Sequence, residues 1–359
     1  MRFLSIIFCS FLLWQCNEAP PKTESLASKY KDYFRIGAAI GKSHLSDYDT
    51  VLLKAHFNSI TAENDMKPKP SLSKDGEYTF EAGDRIVDFA QTNDMVVRGH
   101  TLVWYNQTHG WFYRDEQGAY LTKDAMLDRM QNYIHTVLDH YRGKVYCWDV
   151  VNEAVSNSED TAHLYRDNID WYKICGPDYI EMAFRYAHEA DPEIKLFYND
   201  YNLIDPVKRD KTYRVLKELL DKGTPIHGLG MQGHWTLEDV NKENLAQAID
   251  LFASLGLEVQ ITELDISVYP FYHNLPQEEL PKQVIEFTPE LAQKQAEKYR
   301  EVFEVLRDKK DKITTVTFWG VADDKSWLSH YFVKGRTDYP LLFDQQFNPK
   351  PAFHAILDF

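Results

Sequence analysis

The chain carries the stretch Val145-Tyr146-Cys147-Trp148-Asp149-Val150-Val151-Asn152-Glu153, an apolar run that ends in an acid. A second run of this kind, Glu258-Val259-Gln260-Ile261-Thr262-Glu263-Leu264-Asp265, brings Glu263 to its end. An acid at the end of a buried strand is costly to desolvate, so folding alone gives no reason for either carboxylate. If both strands lie in one parallel sheet, Glu153 and Glu263 emerge on the face where α/β enzymes form active sites. A carboxylate pair across a small gap is typical of glycosidic bond cleavage.

Short apolar runs recur along the chain and alternate with helical patterns, which predicts βα units around a parallel sheet. The predicted strands are 34–40, 58–62, 95–99, 145–151, 194–198, 228–231, 259–262 and 314–318. Eight strands in this alternation favour the α/β class and a single (β/α)8 TIM barrel, for which this length is ordinary. A doubly wound open sheet is the alternative, but the segment 37–41 lacks the glycine-rich phosphate turn expected after its first strand.

Helical patterns fill the intervals between these runs. Thr288-Pro289-Glu290 supplies a capping residue, a first-turn proline and an acid, and apolar residues then recur at helical spacing from Ala292 to Leu306. Such a stripe packs one face of a helix against a sheet. Similar patterns predict helices at 124–141 and 178–190.

The composition fits one large domain. Apolar residues make up 44% of the 359 residues, which allows a large core. A net charge of -15 argues against nucleic acid or an anionic membrane as a partner, because phosphate groups bind basic surfaces. Aromatic residues reach 14% and suit the flat apolar faces of sugar rings. No repeat or low-complexity linker divides the chain, and we expect a monomer.

The first residues predict an export signal. Met1-Arg2 is a short basic start, and 3–14 is almost wholly apolar, which is typical of a signal peptide and too short for a folded membrane span. Leu13-Trp14-Gln15-Cys16 resembles a bacterial lipoprotein cleavage box, although its two central residues are larger than those usual there.

These features divide the chain into three parts. We expect a signal peptide at 1–16, in which Cys16 is a candidate lipidation site, then a polar tether at 17–29 and one folded domain at 30–359. The protein would be exported, and would be extracellular or located at the cell envelope. Its contact with a membrane would be limited to the candidate lipid anchor at Cys16.

Metal and redox chemistry find no support in the sequence. Cys147 lies inside an apolar run, so a buried free thiol is favoured over a disulfide with Cys175. The histidines outside the strand ends have no second ligand at metal-binding spacing. We therefore expect no metal and no cofactor.

Polar or aromatic residues follow at least six of the predicted strands. For any one of them, loop polarity is the better explanation, since a lone Asn or His after a strand is usually a cap. In a barrel, however, these ends converge on one cavity. Random loop polarity would also favour Lys, Ser and Gly over Trp, His and Asn.

These segments resemble glycoside hydrolase family 10, the retaining endo-β-1,4-xylanases. The resemblance rests on six runs in the same order, namely TAENDMKP (61–68), RGHTLVW (98–104), WDVVNEA (148–154), GMQGHW (230–235), ITELDI (261–266) and FWG with DDKSWL (318–320 and 323–328). Together they extend over nearly all of 30–359. The chain departs from the family at Asp65, where many members carry Glu, and in the stretches 269–287 and 329–339, which bear on the rim of the cleft.

The resemblance implies a catalytic pair, with Glu153 as the general acid/base and Glu263 as the nucleophile. In a retaining site the two carboxyl groups stand about 5–5.5 Å apart, close enough for direct attack on the anomeric carbon. At that distance the charge on Glu263 favours the protonated form of Glu153. Esterification of Glu263 removes that charge before the second step.

Three further positions match the catalytic machinery of the family. His234 matches the donor that keeps Glu263 ionised, and Asp265 matches the residue that orients the imidazole. Residues i and i+2 of a strand share a face, so Glu263 and Asp265 can both reach the cavity. Asn152 matches the residue that binds the 2-hydroxyl of the sugar being cleaved, a hydrogen bond that strengthens toward the transition state.

The resemblance also implies a substrate-binding set. Its members are Glu63, Asn64, Lys67, His100, Trp104 and Gln232 on the glycone side, and the two flanking tryptophans Trp319 and Trp327. Core packing is the alternative for one of these tryptophans. For Tyr201 and Asn202, substrate contact and loop structure are equally supported, and Arg98 is expected to be an internal charge partner.

Three functions are weighed. The leading hypothesis is an endo-β-1,4-xylanase that acts on xylan or xylo-oligosaccharides by retaining double displacement. A β-1,4-glucanase is the alternative on the same fold, but bulk from Trp319 and Trp327 near the hydroxymethyl group of glucose would select against it. A non-catalytic glycan-binding surface protein is the third, and the presence of Glu153, Glu263 and His234 argues against it.

Overall fold

The computed structural model describes residues 24–45, 48–270, 279, 282 and 284–359. The predicted signal peptide with Cys16, the tether up to residue 23 and part of the 269–287 stretch therefore lie outside the described residues. Within the described ranges, no helix combines the length and the apolar character needed to cross a membrane.

Nine strands form among the described residues. They are β1 (Arg35–Ile40), β2 (Ser59–Ala62), β3 (Val96–Val103), β4 (Cys147–Asn152), β5 (Lys195–Asp200), β6 (Gly228–Met231), β7 (His234–Thr236), β8 (Glu258–Ser267) and β9 (Ile313–Phe318). All except β7 correspond to the eight predicted strands. Their residues are buried almost throughout, as is usual where helices cover a parallel sheet.

Twelve α-helices form in the same part of the chain. They are α1 (Leu26–Lys29), α2 (Tyr48–His56), α3 (Pro68–Ser71), α4 (Glu81–Thr92), α5 (Lys123–Tyr141), α6 (Asp170–Cys175), α7 (Asp178–Ala190), α8 (Pro206–Asp221), α9 (Lys242–Ala253), α10 (Pro289–Asp308), α11 (Leu328–Tyr331) and α12 (Pro351–Leu357). Two of them, α5 and α7, match the predicted bounds to within one residue, and α10 contains the whole predicted apolar stripe from Ala292 to Leu306. The side chain of Thr288 caps α10 by accepting from the Leu291 backbone N–H, as its sequence predicts.

The eight predicted strands close into a barrel. Neighbouring strands pair in parallel in the order β6-β5-β4-β3-β2-β1-β9-β8, and β6 also pairs with β8. Leu229 lies opposite Val259 across this closure. Because all eight strands run in one direction, their carboxyl ends meet at one end of the barrel, where the site is expected.

Two strands, β3 and β8, extend four or five residues beyond their predicted ends, and both differences involve the site. β3 continues through His100 to Val103, whereas the prediction ended at residue 99. β8 continues to Ser267, so Glu263 lies inside this strand rather than at its end. The additional length of β8 pairs with β7, which places His234 opposite Asp265. Both predicted strands end just before a residue of the site, His100 or Glu263, whereas pairing with neighbouring strands continues beyond it.

The folded domain begins earlier than predicted. Helix α1 lies in the segment assigned to the tether, and its Leu26 is fully buried. Ser25 caps this helix by accepting from the Ser28 backbone N–H at 3.0 Å. The adjacent Tyr30 packs on Phe34 with ring centroids 5.1 Å apart. A polar tether can therefore extend only to about residue 24.

The barrel interior holds a buried ion pair beneath the strand ends. Arg98 on β3 pairs with Asp149 on β4, and both side chains are fully buried. His100 Nδ1 lies 2.8 Å from Asp149 Oδ2, so the same carboxylate also orients a residue of the cleft. Arg98 is thus an internal charge partner, as predicted, and a buried charge of this kind is tolerated only with its partner in place.

Candidate active site

The carboxyl ends of the strands surround a cleft with a cavity volume of about 380 Å³. Twelve of the thirteen residues predicted for catalysis and substrate binding line it, namely Glu63, Asn64, Lys67, His100, Trp104, Asn152, Glu153, Gln232, His234, Glu263, Trp319 and Trp327. The remaining one, Asp265, is fully buried and contacts His234 instead of the cavity. The expectation that Asp265 reaches the cavity is therefore wrong, whereas Glu153 and Glu263 do face one hollow.

Glu153 follows β4 in the left-handed backbone region, with φ at 60°. A non-glycine residue in this region costs about 1–3 kcal/mol, so its surroundings must hold it there. Its Oε2 accepts from Trp104 Nε1 and the Tyr105 hydroxyl, both at 3.1 Å. Its Oε1 accepts from Gln232 Nε2 at 3.0 Å and from Asn152 Nδ2 at 3.2 Å. These four donors are uncharged.

Asn199 on β5 connects the surroundings of the two acids. Its Nδ2 donates to Asn152 Oδ1 and to Glu263 Oε1, both at 2.8 Å. The Thr262 hydroxyl fixes the amide by donating to Asn199 Oδ1 at 2.6 Å. Because Asn152 also contacts Glu153, two amide side chains link the two carboxyl groups.

Glu263 belongs to an ion network on β7 and β8. His234 Nε2 lies 3.1 Å from Glu263 Oε2, and His234 Nδ1 lies 3.0 Å from Asp265 Oδ2. Trp327 Nε1 donates to the same Asp265 oxygen at 2.8 Å. The imidazole therefore lies between two carboxylates, and both of its nitrogens have fixed partners.

The positive charges near Glu263 outweigh the effect of its burial. Burial by itself would raise the pKa of Glu263, but the His234 hydrogen bond and nearby positive charges, including Lys67, lower this pKa to about 2. Burial also disfavours the charged imidazole, yet Asp265 and Glu263 raise the pKa of His234 to about 10. At neutral pH Glu263 is therefore an anion and His234 a cation.

Lys67 forms a second polar group at the other side of the cleft. Its Nζ donates to Asn64 Oδ1 at 3.0 Å and lies 4.7 Å from the centroid of the Trp104 ring. Asn64 Nδ2 donates to Glu63 Oε1 at 3.1 Å. Burial lowers the pKa of Lys67 and raises the pKa of Glu63, while attraction between the two opposes both shifts. Donors and acceptors thus alternate along this wall, which suits the binding of neutral hydroxyl groups.

Aromatic side chains form the remaining walls. Trp319 lines the cleft although it is only 7% exposed, so core packing and cleft lining both apply to it. The Trp327 ring lies 4.9 Å from His234 and 4.7 Å from Tyr331, measured between ring centroids. Tyr331 is 61% exposed and extends this wall toward solvent.

The sequence does not predict every residue of the site. Asn199 is fully buried behind the cleft, and no sequence signal indicates that its amide lies between the two acids, because an asparagine after a strand is usually a cap. Tyr105 follows the 98–104 run directly, so its position beside Trp104 was the available signal. Tyr201 and Asn202, for which two explanations remained open, both line the cleft.

The described residues include no group of three or more His, Cys, Asp or Glu side chains placed to hold a metal ion. Cys147 and Cys175 are buried free cysteines, as the apolar run around Cys147 predicted.

Comparison with known proteins agrees with this geometry. The family model described as "Glycosyl hydrolase family 10" matches residues 25–359. The chain belongs to this family. The family 10 match includes helix α1, in agreement with the earlier start of the folded domain.

Relatives within family 10 cover nearly the whole chain. A β-1,4-xylanase of Dictyoglomus thermophilum is 49% identical over 358 residues, which is 99% of this chain and 97% of that protein. An endo-1,4-β-xylanase of Geobacillus stearothermophilus is 44% identical and spans 96% of this chain and 99% of its own length. A crystal structure of a xylanase from Paenibacillus barcinonensis with a conduramine derivative has a TM-score of 0.87 at 43% identity, covering 93% of this chain and 98% of its own. A mutant structure in complex with xylotriose has a TM-score of 0.88 at 46% identity, covering 94% of this chain and 100% of its own.

Proposed function

We propose that this protein is an endo-β-1,4-xylanase that hydrolyses internal bonds of xylan with retention of anomeric configuration. The observation that supports it best is one cleft, in a family 10 chain, where two buried acids have different surroundings. Glu263 is held as an anion beside His234, whereas the hydrogen-bond donors described for Glu153 are neutral. Two acids with such different partners suit the two different roles that double displacement requires.

In the first step Glu263 is the nucleophile and Glu153 the acid. A carboxylate oxygen of Glu263 attacks the anomeric carbon, and the bond from that carbon to the leaving sugar oxygen breaks. Glu153 gives its proton to this oxygen, so the aglycone leaves as a neutral alcohol. The product is a glycosyl ester on Glu263 and an ionised Glu153.

In the second step Glu153 is the base. The ester is neutral, so the negative charge that opposed ionisation of Glu153 is gone. Glu153 accepts a proton from water as the water oxygen attacks the anomeric carbon, and the ester bond to Glu263 breaks. Both residues return to their starting states.

His234 and Asp265 keep Glu263 ionised and make its carboxylate a better leaving group when the ester breaks. As a cation, His234 stabilises the Glu263 carboxylate in the free enzyme and when the ester breaks. Asp265 holds the imidazole from the other side and keeps it charged. Removal of His234 would take away the charged hydrogen-bond partner of the buried Glu263, which disfavours the charged form of this carboxyl group.

Asn152 and the polar wall around Lys67 are proposed to bind the sugar. Asn152 would hydrogen-bond the 2-hydroxyl of the sugar being cleaved, a contact that supplies several kcal/mol in the transition state. The other proposed substrate-binding residues are Glu63, Asn64, Lys67, His100, Trp104, Gln232, Trp319 and Trp327. The two tryptophans would also occupy the space that the hydroxymethyl group of glucose requires.

Comparison of hydrolysis rates on xylan and carboxymethyl-cellulose tests the substrate. We expect faster hydrolysis of xylan, with xylo-oligosaccharides of several lengths among the first products. Faster hydrolysis of the cellulose derivative would instead indicate a β-1,4-glucanase. Binding of xylo-oligosaccharides without hydrolysis of either polymer would indicate a glycan-binding protein. The Glu263→Ala variant shows which activity belongs to this cleft.

We also propose that the protein is exported and that Cys16 carries a lipid. The basic start, the apolar run and the Cys16 box support this proposal. Fractionation of the wild type and Cys16→Ser tests it, with the wild type expected in the membrane fraction and the variant in the soluble fraction. A soluble product from both would contradict lipidation.

A further inference from the structure

The backbone that carries Glu153 turns sharply away from β4. Glu153 itself has φ at 60°, a conformation that a side-chain-bearing residue adopts only when its neighbours enforce it. Its N–H still bonds to the Asn199 carbonyl of β5 at 2.9 Å. The next two residues, Ala154 and Val155, no longer belong to the strand, so their buried N–H groups need other partners.

The hydroxyl of Tyr198 supplies those partners. It accepts from the Ala154 N–H at 3.0 Å and from the Val155 N–H at 3.1 Å. Tyr198 lies on β5 and is fully buried, and it is not among the residues that line the cleft. One phenol oxygen therefore fixes the two peptide groups that immediately follow Glu153.

Asp200 and Lys208 hold Tyr198 in place. Its hydroxyl donates to Asp200 Oδ2, which leaves the oxygen lone pairs directed at the two N–H groups. Lys208 Nζ pairs with Asp200 Oδ1 at 3.1 Å and also donates to the Val155 carbonyl at 3.1 Å. Tyr198, Asp200 and Lys208 thus form one buried support around the residues after Glu153, which we call the Tyr198 support.

A second side chain, Arg166, binds the peptide group between Glu153 and Ala154 through its carbonyl oxygen. Arg166 Nε donates to the Glu153 carbonyl at 3.1 Å. The Arg166 guanidinium also lies 4.6 Å from the centroid of the Tyr105 ring, whose hydroxyl donates to the Glu153 carboxyl. The carbonyl of Glu153 and the two following N–H groups are therefore all bound by side chains.

We propose that Tyr198 is a positioning residue for the acid/base, acting through the backbone at Glu153 without touching substrate. This proposal rests on the proposed function of Glu153. Without the Tyr198 hydroxyl, two buried N–H groups lose their partner and the left-handed turn loses its support. The Glu153 carboxyl then moves away from the leaving oxygen, and proton transfer is sensitive to displacements of this kind.

Leaving-group dependence separates this role from a merely structural one. The test compares the mature wild-type protein with Tyr198→Phe on 2,4-dinitrophenyl and phenyl β-xylobiosides. The first leaving group needs no proton, whereas the second does. We expect kcat/KM to fall on the order of tenfold to a hundredfold for the phenyl substrate and to stay at the wild-type value for the dinitrophenyl substrate. Azide should raise kcat of Tyr198→Phe on the dinitrophenyl substrate, because azide attacks the glycosyl ester on Glu263 without the help of a base.

Tyr30→Phe is the matched control. It removes another buried hydroxyl, which donates to the Ile356 carbonyl among the residues packed around α1 and α12. Both substrates should be cleaved by this variant as by the wild type. Rates are expressed per active site, counted by covalent labelling with a 2-deoxy-2-fluoro-β-xylobioside that carries a dinitrophenyl leaving group.

Equal losses of kcat/KM on both substrates, or no loss on either, would overturn the inference. If Tyr198→Phe does not fold, Asp200→Asn disturbs the same support while keeping an acceptor for the Tyr198 hydroxyl, and the same selective loss on the phenyl substrate is expected. A uniform loss in that variant would again overturn the inference. A wild type that cleaves neither xyloside would instead contradict the proposed function, so the two failures are distinguishable.

Discussion

Glu153 and Glu263 are both buried, but their partners differ in charge. Neutral N–H and O–H groups surround Glu153, and a histidine bonded to Asp265 contacts Glu263. A neutral donor can serve both a carboxylic acid and a carboxylate, whereas a cation favours the carboxylate alone. This difference is the basis on which we propose different roles for the two residues.

Removal of each acid should give a different kinetic signature. Glu263→Ala should lower turnover on the order of 10⁴-fold or more on polymer and aryl xylosides alike, because no ester can form. Azide should restore part of its activity by occupying the space of the carboxylate and attacking directly. Steady-state kinetics on dinitrophenyl xylobioside, with and without azide, measure both effects. Unchanged hydrolysis of xylan by this variant would end the assignment.

Glu153→Ala should retain the first step where the leaving group is good. Formation of the ester from a dinitrophenyl xyloside should proceed at a rate near that of the wild type, since no proton is required. Hydrolysis of xylan should fall on the order of 10²–10⁴-fold, the usual contribution of acid catalysis. Pre-steady-state burst measurements separate the two steps. Equal losses on both substrates would argue against Glu153 as the acid.

The charge network of His234 predicts how stability depends on pH. Its pKa is raised from 6.5 to about 10 in the folded protein, so its contribution is complete below pH 6.5 and is lost as pH rises through 10. The pKa of Glu263 is lowered from 4.5 to about 2, so its contribution is present above pH 4.5 and is lost as pH falls toward 2. Scanning calorimetry should show Tm falling in both windows.

His234→Asn is the control for the alkaline window. It removes the titrating imidazole, so the decrease in Tm between pH 6.5 and 10 should be smaller than in the wild type. An equal alkaline decrease in both proteins would show that other groups determine it.

At the scale of elements, the sequence predicts most of the barrel because its periodic patterns are strong. Helices α5, α7 and α10 have clear apolar stripes, α5 and α10 also have threonine caps, and the eight predicted strands are apolar runs of ordinary length. β7 has only three residues and no run of its own. It forms because β8 extends beyond the barrel and offers it a partner, a tertiary effect that local patterns do not contain.

The site was predictable to a similar degree and for a different reason. Residues inside recognisable motifs, such as Glu263 and His234, were found because six motifs occur in order. Asn199 and the Tyr198 support were not predicted. They matter because of the left-handed turn that follows β4, the strand next to theirs. Which side chain reaches across to a backbone N–H depends on register, and register follows only from the closed barrel.

β3 and β4 lie so close together at Gly99 that one added methyl group should destabilise the fold. A Cβ added to Gly99 would lie 2.3 Å from Trp148 Cδ2, and Trp148 is a large buried side chain that cannot move aside. Gly99→Ala should therefore lower the free energy of unfolding by about 1–3 kcal/mol, the usual cost of overpacking. Denaturant unfolding measures it.

Gly110→Ala is the matched control, because a Cβ there would have no heavy atom within 4 Å. This variant should be as stable as the wild type or slightly more so, since alanine restricts the unfolded chain. If both variants unfold at the same denaturant concentration, strand packing at Gly99 is looser than described.

At the scale of the whole molecule, the first described residues pack against helices α10 and α12. Leu26 and Tyr30 are fully buried, and the Tyr30 ring packs 5.4 Å from Phe303 of α10. The Tyr30 hydroxyl also donates to the Ile356 carbonyl of α12. Leu26, which the sequence assigned to a tether, therefore contributes to the hydrophobic core.

Truncation tests this contribution. A chain that begins at Glu24 should keep the stability of the mature protein. A chain that begins at Lys31 loses the buried side chains of Leu26 and Tyr30, and should be less stable by at least about 2–5 kcal/mol, the cost of deleting one large core side chain. Guanidinium unfolding measures both. Equal stability of the two truncated chains would mean that α1 does not pack on the core in solution.

The central claim is that Glu153 and Glu263 act as a retaining pair. Proton NMR of the first products from a xylo-oligosaccharide tests it most directly, because each mechanism releases a different anomer. A retaining pair predicts that the β-anomer appears first and that the α-anomer grows in only later, by mutarotation. Initial release of the α-anomer would contradict it.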